Sequence, residues 1–337
     1  MIRGALLLLA SAALVGAAEA PAPDLDRLLA PRPAPMLADY GLFSDAAANS
    51  PAARVRPYNL NTQLFTDYAD KARFAYLPPG TSARVEGGVI EWPVGTTLIK
   101  HFQYGSGADV RRLETRLLIR QQSGWLPVSY VWNEAQTEAR LQIAGQTIPL
   151  TIPTPAGPRA IDYQVPNRNQ CKQCHQQSGA VTPIGPSLAN FNTGVQLQSW
   201  AAAGVLTDLP DARPRLARWD DPEAPLDARA RAWLDVNCGH CHSRAGFASN
   251  SGLYLQHDEP DPTHFGVGKR PVAAGRGSGG RMVGIAPGAP EASILVHRIE
   301  STEAGVMMPQ MGRTLVDEEG AALIRAWIAA MPVGDDD

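Results

Sequence analysis

All four cysteines of this 337-residue chain lie in the pattern Cys-x-x-Cys-His. The two copies are Cys171-Lys-Gln-Cys174-His175 and Cys238-Gly-His-Cys241-His242. Two thiols one helical turn apart, roughly 5 Å along the axis, can each add across one vinyl group of a porphyrin. The histidine that follows is then placed to ligate the iron. Four cysteines also suit two disulfides, and two Cys-x-x-Cys pairs suit one zinc ion. Neither alternative calls for histidine directly after each second cysteine. Histidine makes up 7 of 337 residues, so both placements would coincide by composition alone with a chance on the order of one in two thousand. The expected cofactors are therefore two haem c groups, held by Cys171, Cys174, Cys238 and Cys241, with His175 and His242 on the irons. His240, inside the second motif, is read as a spacer, with a hydrogen bond to a propionate as its alternative.

A sixth ligand for the second iron is expected in Gly305-Val-Met-Met-Pro-Gln-Met-Gly312. A thioether on a stiff loop raises the reduction potential of a haem, and Met308, directly before Pro309, is the chosen donor over Met307 and Met311. The first iron lacks this provision, because no methionine lies between Gln176 and Arg281. His101, on a predicted strand over 97–102, is the named candidate. A lysine, another histidine, an asparagine or an open position stand beside it. Without a thioether, this haem is expected to have the lower potential of the two.

Elements that could position these groups follow from periodicity. Strands are predicted over 89–92, 97–102, 113–120, 128–132 and 141–143, with turns at Gly87-Gly88, Gly124 and Gly145. They suggest an antiparallel sandwich or barrel-like domain over 36–159, with Trp92, Trp125 and Trp132 among its core and rim. A helix over 196–203, ended by Gly204, and the prolines at 210, 214, 222 and 225 belong to a first haem module, 160–224. The second module, 225–333, opens on a helix begun by Asp227, with Ala230, Trp233 and Leu234 on one face. It closes on a helix begun at Asp317, whose stripe is Leu323, Ile324, Trp327, Ile328 and Met331. The expected fold class is thus α+β and multidomain: a β-rich N-terminal domain followed by two mostly α-helical cytochrome c-type modules.

Residues 1–18 read as a signal peptide, with Arg3 before an apolar run and cleavage after Ala18. Residues 19–35, rich in Ala and Pro, read as a loosely held lead-in. No cysteine is available for a lipid anchor, and no later apolar run has membrane length. The expected location is the periplasm, as a soluble protein. A net charge of −3 with mixed signs argues against nucleic acid as a partner.

Several stretches carry a resemblance. They are Tyr58-Asn-Leu-Asn-Thr-Gln-Leu-Phe-Thr-Asp-Tyr68, Trp92-Pro-Val-Gly-Thr96, Glu114-Thr-Arg-Leu-Leu118, Tyr130-Val-Trp-Asn133, Pro271-Val-Ala-Ala-Gly-Arg-Gly-Ser-Gly-Gly280 and the segment from Met307 to Ile328. Together with the two haem motifs they make the chain similar to a family of periplasmic dihaem c-type cytochromes with a β-rich N-terminal half. The likeness covers nearly the whole mature chain. It implies two covalent haems, and the Met-Pro-Pro-Leu-Gly pattern before the last helix of similar modules implies Met308 as ligand. This chain departs from that pattern with Gln310 and Met311. The resemblance implies no settled substrate.

Three functions compete. The favoured one is electron transfer between periplasmic donor and acceptor proteins through two haems. The alternative is a dihaem peroxidase- or oxidase-type enzyme whose first iron keeps an open position. A third, compatible with either, makes the β-rich half a module that docks the cytochrome onto a partner or polysaccharide.

Overall fold

The computed structural model describes residues 22–333 except Ala46 and Asn49, so the signal peptide expected over 1–18 lies outside the described residues. The centre of the molecule is a six-stranded antiparallel sheet in the order β1-β2-β5-β6-β7-β8. Its strands are β1 (Val55–Pro57), β2 (Asp70–Tyr76), β5 (Thr97–Tyr104), β6 (Arg111–Gln121), β7 (Gly124–Trp132) and β8 (Ala139–Leu141). The predicted strands at 97–102, 113–120 and 128–132 are its middle. β2 escapes a propensity reading because Asp-Lys-Ala-Arg-Phe-Ala-Tyr has no β-branched residue.

Both faces of this sheet are covered, which sets its composition. One face carries Tyr76, Ile99, Leu117, Ile119, Val128 and Tyr130, packed under Leu28, Leu37, Tyr40 and Leu42 from the N-terminal segment. The stretch expected as a loose lead-in therefore contributes a helix, α1 (Leu25–Leu29), and the buried Leu28 and Ala34 to the core.

The second face is covered in two places. At one end lies a three-stranded sheet of β3 (Ala83–Glu86), β4 (Val89–Glu91) and β13 (Leu206–Thr207), with α3 (Leu188–Phe191) and α4 (Val195–Ala202) packed beside it. Gly87 and Gly88, at φ 58° and 82°, make the two-residue turn joining β3 to β4. At the other end lies the hairpin of β9 (Gln146–Ile152) and β10 (Arg159–Val165), packed on Phe102, Tyr104 and Leu113.

Two mostly helical modules after residue 159 do not form. Among the described residues strand and helix are about equal, 24% of each, and the seven helices are short. In 160–224 the helices have 8, 4 and 8 residues, too short to bury a core of their own. Instead Leu188, Phe191, Leu197 and Trp200 share a core with Ala75, Leu77 and Leu98 of the sheet. β13 even adds a parallel strand to β3. This segment completes the β-rich half.

The C-terminal part has its own core, built on α5 (Leu226–Leu234), α6 (Ile294–Ile299) and α7 (Glu318–Ala329), with long irregular stretches between them. Trp233 donates to the Asp317 carboxylate at 2.8 Å, and Trp327 donates to Asp227 at 2.8 Å. Asp317 caps α7 by accepting from Gly320 N. Pro225, rather than Asp227, stands at the start of α5. Gly320 is required where α7 meets α5, because a Cβ there would run into the Trp233 indole.

The segment over 59–68 ties the two halves together. Thr62 N donates to Asn190 Oδ1, Phe65 N donates to Asn237 Oδ1, and the Asp67 carboxylate accepts from Thr314 N and Leu315 N. Among the described residues no helix is long and apolar enough to cross a membrane.

Candidate functional site

The first motif sits on α2 (Arg168–His175), whose N-terminus is closed by a capping box between Asn167 and Gln170. The three-residue step from Cys171 to Cys174 keeps both thiols on one side of the helix. A tight hairpin of β11 (Gln176–Gln177) and β12 (Ala180–Val181) follows directly, turning through Ser178 and Gly179 at positive φ. It returns the Thr182 carbonyl to His175 Nδ1, at 2.9 Å. A carbonyl oxygen only accepts, so Nδ1 carries the proton and Nε2 keeps its lone pair.

The second motif begins as α5 runs into a π-helical turn, Asp235–Gly239, which holds Cys238 buried. His242 Nδ1 lies 3.3 Å from Ser251 Oγ. That hydroxyl donates to Ala248 O at 2.7 Å, so toward His242 it accepts. The same tautomer results, with Nε2 free. Burial is the first cause lowering both histidines to about 4, which leaves each ring neutral at pH 7, the form that ligates a metal.

The two motifs open into one cavity of about 600 Å³, within the size range of cofactor sites. Its walls differ. Around His242 they are largely apolar, with Phe247, Leu253, Leu255, Phe265, Ile285 and Ile294, and Arg298 stands among them. Around His175 the wall is the second face of the central sheet, presenting Lys100, Arg116, Leu118 and Ser129. Gly246 lets the chain after the second motif pass against the Cys241 carbonyl, where a Cβ has no room.

Met308 and Met311 both line the cavity; Met307 does not. The loop that carries them is clamped by Arg313, 6% exposed. Its guanidinium donates to the carbonyls of Ile299, Ser301, Met308 and Leu315 at 2.8 to 3.0 Å. Met308 N in turn donates to Arg298 O at 2.9 Å. Met308 is the residue most firmly held by its backbone.

His101 is not at the site. Side chains alternate across a strand, and in β5 it is Lys100 that faces the cavity. His101 points to the opposite face, 1% exposed, among the rings of Phe43, Phe74 and Trp132. Its Nδ1 pairs with Thr115 Oγ1 at 2.6 Å, and burial lowers its pKa to about 3. The strand over 97–102 was legible, but its phase was not.

None of the four cysteines is in a disulfide. Cys174, Cys241 and His240 converge, one ligand atom from each lying within 4.8 Å of the others. The closeness of the two sulfurs lowers the Cys174 thiol and raises that of Cys241. Burial pushes Cys238 up to about 12 and also raises Cys171. The donor set suits haem c: four thiols outside disulfides in two closely spaced pairs, two neutral imidazoles with Nε2 free, and a thioether on a clamped loop around one large void. Comparison with protein-family models, curated proteins and solved structures gave no match to this chain.

Proposed function

We infer that the chain is a dihaem c-type cytochrome that passes electrons between periplasmic redox partners. One observation carries the reading: both Cys-x-x-Cys-His motifs open into a single cavity, each with its histidine fixed in the tautomer that leaves Nε2 free. Haem, when bound, supplies reversible one-electron chemistry. The residues of the chain do the rest. Cys171 and Cys174, and Cys238 and Cys241, would hold the two groups by thioether bonds. Thr182 and Ser251 orient His175 and His242. Arg313 holds the Met308 loop, and with the largely apolar wall on that side this would favour the reduced state of a second haem held there. The closeness of Cys174 and Cys241 supports two cofactors near enough to exchange electrons within the molecule.

The same closeness favours one competing reading, a metal ion held by Cys174, Cys241 and His240. That site leaves Cys171, Cys238, His175, His242 and most of the cavity without a role. Denaturing mass spectrometry of protein exported from a cell competent in haem attachment separates the two. The expected mass is the processed chain plus two haems, with no free thiol. A haem-free chain that carries zinc would reject the cytochrome reading.

A further inference from the structure

We propose that Lys100 Nζ is the second axial ligand of the iron held by His175. The inference rests on the cytochrome reading above and deepens it at the one coordination position that no methionine fills.

The placement comes from sheet register. Across β2, β5 and β6, Arg73 pairs with Lys100 and Lys100 with Arg116. Three cations thus stand side by side on one sheet face, where like charges directly opposite each other are unfavourable. Two of them are compensated. Arg116 makes a two-pronged contact with the buried Glu114 carboxylate, 2.9 Å from Nε and 2.5 Å from Nη2, and Tyr163 OH donates to the same carboxylate at 2.7 Å. Arg73 donates to Gln63 Oε1 and Lys71 O. Among the described residues Lys100 Nζ has no hydrogen bond or ion pair, and it lies over the ring of Phe102, 4.9 Å from its centroid. A half-buried amine without a partner, facing a cavity, points to a ligand inside that cavity.

Chemistry separates two roles for it, counter-ion to a propionate or donor to iron. Arginine cannot give up its proton, but lysine can when buried beside other cations. Burial, then Arg116, Arg73 and Lys71, all push the Lys100 ammonium toward the neutral amine. A neutral amine has the lone pair that iron accepts, and it is a poor counter-ion. Lys100 and His175 line the same cavity. His240, the other nitrogen donor nearby, lies against the Cys174 and Cys241 sulfurs. Those atoms attach at the edge of a porphyrin, away from its iron.

The test uses the full-length holoprotein, with two haems per chain established by mass first, so that failure to load haem counts against the cytochrome reading alone. Ferric protein is examined by low-temperature electron paramagnetic resonance and near-infrared magnetic circular dichroism, and ferrous protein by carbon monoxide binding. The wild type is expected to show one thioether-ligated and one nitrogen-ligated low-spin haem, with no fast carbon monoxide binding. Lys100→Arg keeps the charge but cannot ligate. It should turn one of the two haems high-spin and let it bind one equivalent of carbon monoxide. Lys100→His should restore a low-spin haem with a bis-imidazole signature. A wild-type spectrum in Lys100→Arg would overturn the proposal and leave Lys100 as a counter-ion. A high-spin or water-ligated first haem in the wild type would overturn it without any variant.

Discussion

At the scale of single residues, the site divides into groups that bind and groups that aim. Met308 and Met311 both reach the cavity, but only Met308 has its carbonyl and its N–H both engaged by the loop's clamp. Met308→Ala should lower the potential of the second haem and abolish the charge-transfer band of sulfur-ligated ferric haem, because a soft donor to ferrous iron is lost. Met311→Ala should leave both unchanged, and an optical redox titration of the two variants checks this. A pH effect belongs to His257, whose Nδ1 lies 3.5 Å from the Asp235 carboxylate. Its pKa is raised, first by the neighbouring Asp235 carboxylate. A raised folded-state value means that protonated His257 stabilises the fold below its unfolded pKa. That contribution is lost as pH rises through the folded value. The stability gap between wild type and His257→Gln, measured by denaturant unfolding, should therefore be larger at pH 5 than at pH 9.

At the scale of elements, the loop between α6 and α7 has little regular structure and depends on one side chain. Arg313 satisfies four carbonyls that would otherwise be buried without donors. Arg313→Ala should cost about 3 kcal/mol of stability and weaken Met308 as a ligand, seen as new carbon monoxide binding at the second haem. The α5–α7 crossing is the other dependence. Trp327 is 5% exposed and hydrogen-bonded to Asp227, so Trp327→Ala should cost about 3–5 kcal/mol. Thermal unfolding of the holoprotein reads both changes.

At the scale of the whole molecule, the segment over 59–68 joins what composition divides. It bonds to Asn190 on the sheet side and to Asn237, Thr314 and Leu315 on the second-motif side. Asp67→Ala removes the acceptor for Thr314 N, Thr314 Oγ1 and Leu315 N. A single cooperative unfolding transition should then split in two, as followed by differential scanning calorimetry, because the two cores lose their shared restraint. The same geometry bears on redox behaviour. An apolar wall and a thioether on one side, and a nitrogen-lined sheet face on the other, should give two resolved potentials, the lower belonging to the His175 side. Sulfur ligation found on both haems would contradict this.

The sequence alone determined what depends on residue type at short spacing. The paired thiols with their histidines, the methionine loop, the strands over 97–102, 113–120 and 128–132, and the α5 and α7 stripes were all readable locally. Tertiary structure decided what depends on phase and on distant partners. One register step in β5 exchanges His101 for Lys100 at the cavity wall, because side chains alternate at every residue. The segment over 160–224 could not be recognised as part of the β-rich half, since Leu188, Phe191 and Trp200 find their core on strands about a hundred residues earlier in the chain. Thr182, Ser251 and Arg313 act through backbone carbonyls, hydroxyls and buried donors, which leave no motif. Their roles exist only once the chain has folded around one cavity.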